Sequence, residues 1–182
     1  MQSKENQVWR LFFNNPTKEW HFEEIVREAK CTRGKVYQWL MCLVKNGLIT
    51  RFKPERKMPY YVSNYNSSKY KTRKKLFAFE ELYMSGFLEH LNALPKAKSV
   101  IIFGSFVRSD WYSESDIDLF IYGDSDGLKI SNYELKLHRD IQVFICKTEE
   151  DLKRFGASLI KNIIRGSLIK GGLDFVRVEL NA

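Results

Sequence analysis

The sequence predicts an α+β protein of two domains, and three observations carry the prediction. Residues 5–62 show apolar residues at helical spacing followed by two strand-like segments around a basic loop. The second half alternates short apolar strands with helical segments, which is typical of a small sheet with helices packed on it. The charge also divides: residues 1–75 hold 17 Lys and Arg against 6 Asp and Glu, and the rest holds 13 against 16.

Length and composition exclude several classes of protein. A chain of 182 residues with 44% hydrophobic residues suits one or two small domains with their own cores. No apolar run approaches the ~20 residues of a membrane span, and the first six residues form no apolar signal segment. Cys31, Cys42 and Cys146 lack the CxxC spacing of zinc sites. We therefore expect a cytoplasmic protein with reduced thiols and no membrane partner.

The front of the chain is predicted to hold three helices and a hairpin. Apolar residues recur every three or four positions in three segments, and Thr32 is a candidate N-cap of the third. A short extended piece at 20–22 precedes the second helix. Asn46-Gly47 favours the end of the third helix. The helices are predicted at 5–14, 22–29 and 32–46, and the strands at 48–52 and 60–62, around loop 53–59.

This arrangement resembles a winged helix-turn-helix domain, which we assign to residues 1–64. The third helix would bury Val36, Leu40 and Leu43 and leave a polar face free for DNA phosphates and base edges. Basic residues of the hairpin would reach the DNA backbone. The candidate DNA-binding residues are Arg33, Lys35, Tyr37, Gln38, Arg51, Lys53, Arg56 and Lys57. Two alternatives stay open: such domains also bind proteins, and a basic surface can serve solubility alone.

Residues 65–95 are predicted to form a helix that links the two domains. It would begin near Ser67 or Ser68, after a polar stretch, and end at Pro95. An apolar stripe runs along it at spacings of three and four, and we expect that stripe to pack on the sheet. The alternative is a homodimer seam. The stripe comprises Leu76, Phe79, Tyr83, Phe87 and Leu91.

One motif in the second half carries chemistry. Strand 98–103 runs into Gly104-Ser105, and a second strand, 117–122, begins beside Asp116 and Asp118. Side chains two apart on a strand share a face, so both carboxylates would converge on one point. Carboxylates with substrate phosphates are the ligands Mg²⁺ prefers, and Mn²⁺ would serve as well. Glycine allows close backbone approach, so Gly104 and Ser105 are candidates to hold a phosphate oxygen.

Residues 97 to 172 resemble the nucleotidyltransferase signature of the DNA polymerase beta superfamily, above all its small prokaryotic minimal domains. The resemblance implies a small mixed sheet flanked by helices over residues 96–182, and transfer of a nucleoside monophosphate from a nucleoside triphosphate. Arg108 stands at a basic position of the family pattern, and Ser109 stands where the family often has glycine. The implied nucleotide-binding residues are Gly104, Ser105, Arg108 and Ser115, and the implied metal ligands are Asp116 and Asp118. Asp116, Asp118 and Asp140 are the candidate catalytic residues, with Asp140 as a candidate substitute for the family's third acid.

The third strand, 140–146, departs from the family pattern. Active members place a third acidic residue there, and the alignment puts Gln142 at that position. A neutral amide is no general base and a weak metal ligand. Asp140 lies two residues earlier on the same face, roughly 6.6 Å away along the strand. It would substitute only if a bulge or a change of register brought it closer.

The remaining segments are predicted more simply. Residues 128–138 fit either a helix or a strand, and Trp111 is expected to pack rather than to stack on a base. A helix is predicted from Glu149 through Ile164, followed by a short strand at 167–172. A last strand through Phe175, Val176 and Val178 is a weaker prediction.

Three functions fit these patterns. The first is a metal-dependent nucleotidyltransferase with an unspecified acceptor, coupled to DNA binding. The second is a DNA-binding transcriptional regulator whose nucleotidyltransferase fold is inactive and senses a nucleotide or dimerises. The third, on family analogy alone, is one half of a toxin–antitoxin-like pair that modifies a protein partner.

Overall fold

The computed structural model describes residues 4–173, 175 and 176. These residues form two compact units. Unit 1 contains the chain through Phe77 together with Trp111–Ser113, and unit 2 contains Ala78–Asp110 and the chain from Glu114 onward. The division thus falls within the segment that the sequence assigned to a linking helix. Within the described residues, none of the helices combines the length and apolar character needed to span a membrane.

Unit 1 places three helices beside a three-stranded antiparallel sheet of order β1-β3-β2. Each of these elements was predicted from the sequence within two residues at either end. Thr32 occupies the N-cap position of the third helix, but its side chain makes no capping hydrogen bond. The elements are α1 (Lys4–Asn14), β1 (Trp20–His21), α2 (Phe22–Ala29), α3 (Arg33–Lys45), β2 (Ile49–Phe52) and β3 (Tyr60–Ser63).

Aromatic rings fill the centre of unit 1. The Phe13 ring lies 5.2 Å from the Tyr70 and Phe77 rings and 6.4 Å from the Trp111 ring, measured between centroids. Lys74 Nζ lies 4.2 Å from the centroid of Trp111 and donates a hydrogen bond of 2.5 Å to its carbonyl oxygen. Trp111 is buried, so its predicted packing role is confirmed.

The linking helix differs from its prediction in two ways. It is broken into α4 (Ser68–Met84) and α5 (Phe87–Asn92), because Gly86 adopts a left-handed backbone with φ of 80°. The predicted apolar stripe is buried only in part: Phe87 and Leu91 are buried and Phe79 is half-buried, but Leu76 is 57% exposed and Tyr83 72% exposed. The buried face of α4 includes Lys74, whose aliphatic stem packs while its ammonium is hydrogen-bonded. Because Lys74 is polar, the pattern of apolar residues did not indicate that its position belongs to the buried face of α4.

Unit 2 is built on a four-stranded mixed sheet of order β6-β5-β4-β7. Strands β5 and β6 are parallel, and the other two pairs are antiparallel. This agrees with the mixed sheet that the resemblance implied. The elements are β4 (Ala97–Phe103), α6 (Gly104–Arg108), β5 (Ile117–Gly123), α7 (Ser131–Leu137), β6 (Ile141–Cys146), α8 (Glu149–Leu152), α9 (Ala157–Ile164) and β7 (Ser167–Lys170).

Two segments of unit 2 resolve or correct the sequence predictions. The ambiguous segment 128–138 contains helix α7. The single helix predicted from Glu149 to Ile164 is wrong, because the chain forms two short helices and Gly156 is the N-cap of the second. Beyond β7, Phe175 packs in the core without forming a strand, and Val178 lies outside the described residues.

The core of unit 2 holds the sheet rigidly beneath the motif residues. Strands β4 and β5 are buried along nearly their whole length, as expected of central strands with both faces covered. Their side chains pack with helix α9 and with Phe175. The buried cluster comprises Ile101, Phe103, Phe120, Cys146, Ile163 and Phe175.

Candidate active site

The site begins where β4 meets α6. Phe103, the last residue of β4, pairs with Asp118 on β5. The next residue, Gly104, has φ of 77°, and a Cβ atom there would lie 1.9 Å from Asp118 Oδ2. No side chain fits in that space. Gly104 was expected to let a ligand approach the backbone closely. It also leaves room for the Asp118 carboxylate to lie against the backbone.

Helix α6 carries two more of the predicted phosphate contacts, Ser105 and Arg108. Ser105 is half-buried, and Arg108 is exposed with its Nε 3.4 Å from Asp110 Oδ2. Ser109 ends the helix in a left-handed conformation, with φ of 71°. Glycine adopts this conformation without steric cost, which explains why glycine is common at this position in the resembled family.

Asp116 and Asp118 lie at the start of β5 and influence each other electrostatically. Asp118 is half-buried, and Asp116, just before the strand, is exposed. Burial is the main cause that raises the pKa of Asp118, and the negative charge of Asp116 raises it further, while Arg108 opposes the shift. A divalent cation between the two carboxylates would relieve both the desolvation and the repulsion, so this pair could hold a metal ion.

Gln142 occupies the third position of the site. In the parallel ladder of β5 and β6, Asp118 is aligned with Gln142, and aligned residues of neighbouring strands face the same side of a sheet. The position where the resemblance expects a third acidic residue therefore carries a neutral amide. This agrees with the alignment made from the sequence.

Asp140 lies one residue before β6, level with Asp116 rather than with Asp118. The β5–β6 register runs without a break from Ile117↔Ile141 to Tyr122↔Cys146, so no bulge moves Asp140 along the strand. Its carbonyl oxygen accepts a hydrogen bond of 2.9 Å from the Ile117 N–H. Within residues 4–173, 175 and 176, no group of three or more His, Cys, Asp or Glu side chains could hold a metal ion. A catalytic role for Asp140 stays a prediction.

Arg139 is a site residue that sequence reasoning missed. Its Nη1 donates a hydrogen bond of 2.7 Å to the carbonyl oxygen of Ser115, and its guanidinium carbon lies 5.4 Å from the centroid of the Phe106 ring. It thus connects the segment before Asp116 to α6. Ser115, predicted to bind nucleotide, is held here through its backbone. The sequence shows that a basic residue precedes Asp140, but it does not show that this residue contacts the Ser115 carbonyl.

The predicted DNA-binding residues lie on unit 1. Four are on α3 and four on β2 and the following loop, and all eight are exposed. Helical spacing predicted this exposure for the four residues on α3. Arg33 is not a free cation, because its Nη1 lies 2.6 Å from Glu23 Oε1. Because these eight side chains are exposed, a ligand could reach them, but their exposure does not identify that ligand.

The raised pKa of Asp118 gives a prediction about stability. The folded protein binds a proton at Asp118 more tightly than the unfolded chain does, so stability falls as pH rises from about 4 through the raised pKa. Asp118→Asn should therefore raise the melting temperature at pH 7, and the gain should vanish as pH falls below about 4. Calorimetry across this pH range measures the difference.

Asp124→Asn is the matched control, with the opposite sign. A hydrogen bond from Lys147 is the main cause that lowers the pKa of Asp124, so the substitution should not stabilise the protein at pH 7. An Asp118→Asn melting temperature at or below that of the wild type at pH 7 would contradict the electrostatic description of the site.

Comparison with known proteins bears on the same segment. Residues 88–171 match the family model described as Polymerase beta, Nucleotidyltransferase. No curated protein matches the chain. The matched segment runs from α5 to β7 and contains the Gly104 turn and the Asp116–Asp118 pair. The second half of the chain is therefore nucleotidyltransferase-like, as the motif indicated.

Proposed function

We propose that unit 2 transfers a nucleoside monophosphate from a nucleoside triphosphate to an acceptor, with Mg²⁺ or Mn²⁺ bound by Asp116 and Asp118. The observation that carries the proposal is the fit of Gly104 beneath the Asp118 carboxylate, within a segment that matches the nucleotidyltransferase family. That fit fixes one carboxylate at the end of the β4–α6 turn, where a triphosphate would lie.

Each residue of the site then has a task. Asp116 and Asp118 bind the divalent ion, which when bound supplies charge stabilisation at the reacting phosphate. The Ser105 hydroxyl and the Arg108 guanidinium orient phosphate oxygens. The oxygen of an acceptor hydroxyl forms a bond to the α-phosphorus and its proton passes to solvent. The bond from the α-phosphorus to the oxygen that bridges it to the β-phosphate breaks, and pyrophosphate leaves with that oxygen. Catalysis on this description is mainly positioning and electrostatics, and its acceptor is unassigned.

A test of transfer uses the full chain with each of the four α-³²P-labelled nucleoside triphosphates, Mg²⁺ or Mn²⁺, and a cell extract as acceptor source. Asp116→Asn and Asp118→Asn should each lower label transfer about 100-fold or more, because each removes a ligand of the ion that stabilises the transition state. Asp126→Asn is the control and should leave transfer unchanged. Asp126 is exposed in the turn after β5, where its carboxylate pairs with Lys96.

The second candidate function is a regulator with an inactive nucleotidyltransferase fold, and Gln142 beside Asp118 favours it. The same assay separates the two. Metal-dependent nucleotide binding without transfer from any of the four nucleotides would reject the enzyme and leave the regulator. Transfer that survives loss of both carboxylates would reject the assigned site.

For unit 1 we propose DNA binding as a winged helix-turn-helix domain. The element order, three helices followed by an antiparallel hairpin, supports this, as does the set of cations exposed on α3 and the hairpin. Arg33 and Lys35 would approach the groove with α3. Lys53 and Lys57 would contact phosphates from the hairpin loop.

Salt dependence tests the proposed DNA contacts. If Lys53 and Lys57 each neutralise one phosphate, Lys53→Ala and Lys57→Ala should each reduce the slope of log K against log salt by about 1. Fluorescence anisotropy with labelled duplex DNA measures this slope. Lys161→Ala, an exposed change on α9 of unit 2, is the control and should leave it unchanged. Unaltered slopes for both hairpin variants would contradict the proposal.

A further inference from the structure

Unit 1 contains a cleft beside the residues proposed to contact DNA. It has a volume of about 540 Å³ and lies between the start of α2, the start of α3 and the β2–β3 hairpin. Clefts of this size commonly hold small molecules or single groups of larger ligands. Three of the residues that line it, Arg33, Tyr37 and Arg51, are also candidate DNA contacts.

The floor of the cleft is fixed by strand pairing. Trp20 of β1 pairs with Tyr61 of β3, and Tyr61, which lines the cleft, is only 3% exposed. His21 Nδ1 lies 3.1 Å from the carbonyl oxygen of Pro59, which ties the hairpin loop to the start of α2. The cleft therefore exists before any ligand binds.

Its walls are apolar and unusually exposed. Tyr37 of α3 is 55% exposed and Met58 of the hairpin loop is 71% exposed, and both line the cleft together with Phe22. Large apolar side chains exposed around one concavity indicate a binding surface. A tyrosine ring and a methionine thioether on opposite elements suit a flat, polarisable ring placed between them.

The charged residues at the rim of the cleft restrict the class of ligand that it could bind. Arg33 and Arg51 line the cleft, and Glu23 lies there too, held 2.6 Å from Arg33 Nη1. Guanidinium groups bind phosphates, and a carboxylate accepts hydrogen bonds from ring N–H or amino groups. Exposed Lys53 and Lys57 continue the positive surface along the hairpin loop. A ligand with a flat ring, N–H donors and several phosphates would suit these residues. A nucleotide within a nucleic acid has all three features.

We propose that this cleft binds one unpaired nucleobase of a nucleic acid held by unit 1. The base stacks between Tyr37 and Met58, its amino or ring N–H group donates to Glu23, and a flanking phosphate meets Arg51. The inference rests on the nucleic-acid binding proposed above and specifies it: the target presents a single-stranded or extrahelical nucleotide. A paired base within a duplex would leave the cleft empty.

The test compares three labelled DNAs of one sequence: a perfect duplex, the same duplex with one extrahelical base, and the single strand. Because stacking of one base contributes ~1–3 kcal/mol, the extrahelical duplex should bind about 10-fold more tightly than the perfect one. Met58→Ala should remove most of this preference and leave the duplex affinity unchanged. Met84→Ala is the matched control, since Met84 is 51% exposed on α4 and does not line the cleft.

A direct readout places 2-aminopurine at the extrahelical position. Its fluorescence should be quenched on binding to the wild-type protein and less so with Met58→Ala or Tyr37→Ala. Equal affinity for all duplexes, or equal quenching in the variants, would overturn the cleft assignment while nucleic-acid binding stands. Failure to bind any of the three DNAs would instead overturn the proposed function of unit 1.

Discussion

The candidate site depends on the contact between the Asp118 carboxylate and the backbone of Gly104. A Cβ atom at residue 104 would displace the Asp118 carboxylate from its position, and the positive φ of this residue independently favours glycine. The contact is set by the β4–β5 ladder, which pairs Phe103 with Asp118 and delivers the strand's last residue directly beside the acid. Burial of both strands in the core of unit 2 keeps that ladder in place.

The same arrangement determines the electrostatics. Holding Asp118 against a buried strand end desolvates it, and placing Asp116 two residues earlier adds a like charge, so the ionised pair is costly on its own. A divalent cation would offset that cost, which is why a strained pair of carboxylates favours a metal and phosphate function. Gln142, aligned with Asp118, adds no third charge. The site therefore has a smaller negative charge than a three-carboxylate site and has no general base at the Gln142 position.

Much of the fold followed from local patterns. The three helices and the hairpin of unit 1 were predictable because helical spacing and turn residues such as Asn46-Gly47 act over a few residues. The alternation of side chains along strands predicted that Asp116 and Asp118 share a face, and Asp116 does raise the pKa of Asp118. The place of Gln142 came from the resemblance to the family pattern, and the strand register pairs it with Asp118. Features that depend on distant partners were missed. The buried face of α4 requires the bond from Lys74 to Trp111, 37 residues away, and Arg139 acts through the Ser115 carbonyl, 24 residues away. The cleft beside α3 needs two strands and a loop to come together, and no local pattern indicates it.

The most direct test of the account is a crystal structure of the protein with Mn²⁺ and a non-hydrolysable nucleoside triphosphate. We expect the anomalous signal of manganese between the Asp116 and Asp118 carboxylates, with the triphosphate against Ser105 and the Gln142 amide outside the metal's coordination sphere. Manganese bound elsewhere on unit 2, or a nucleotide bound away from the Gly104 turn, would contradict the assignment of this pair as the metal site.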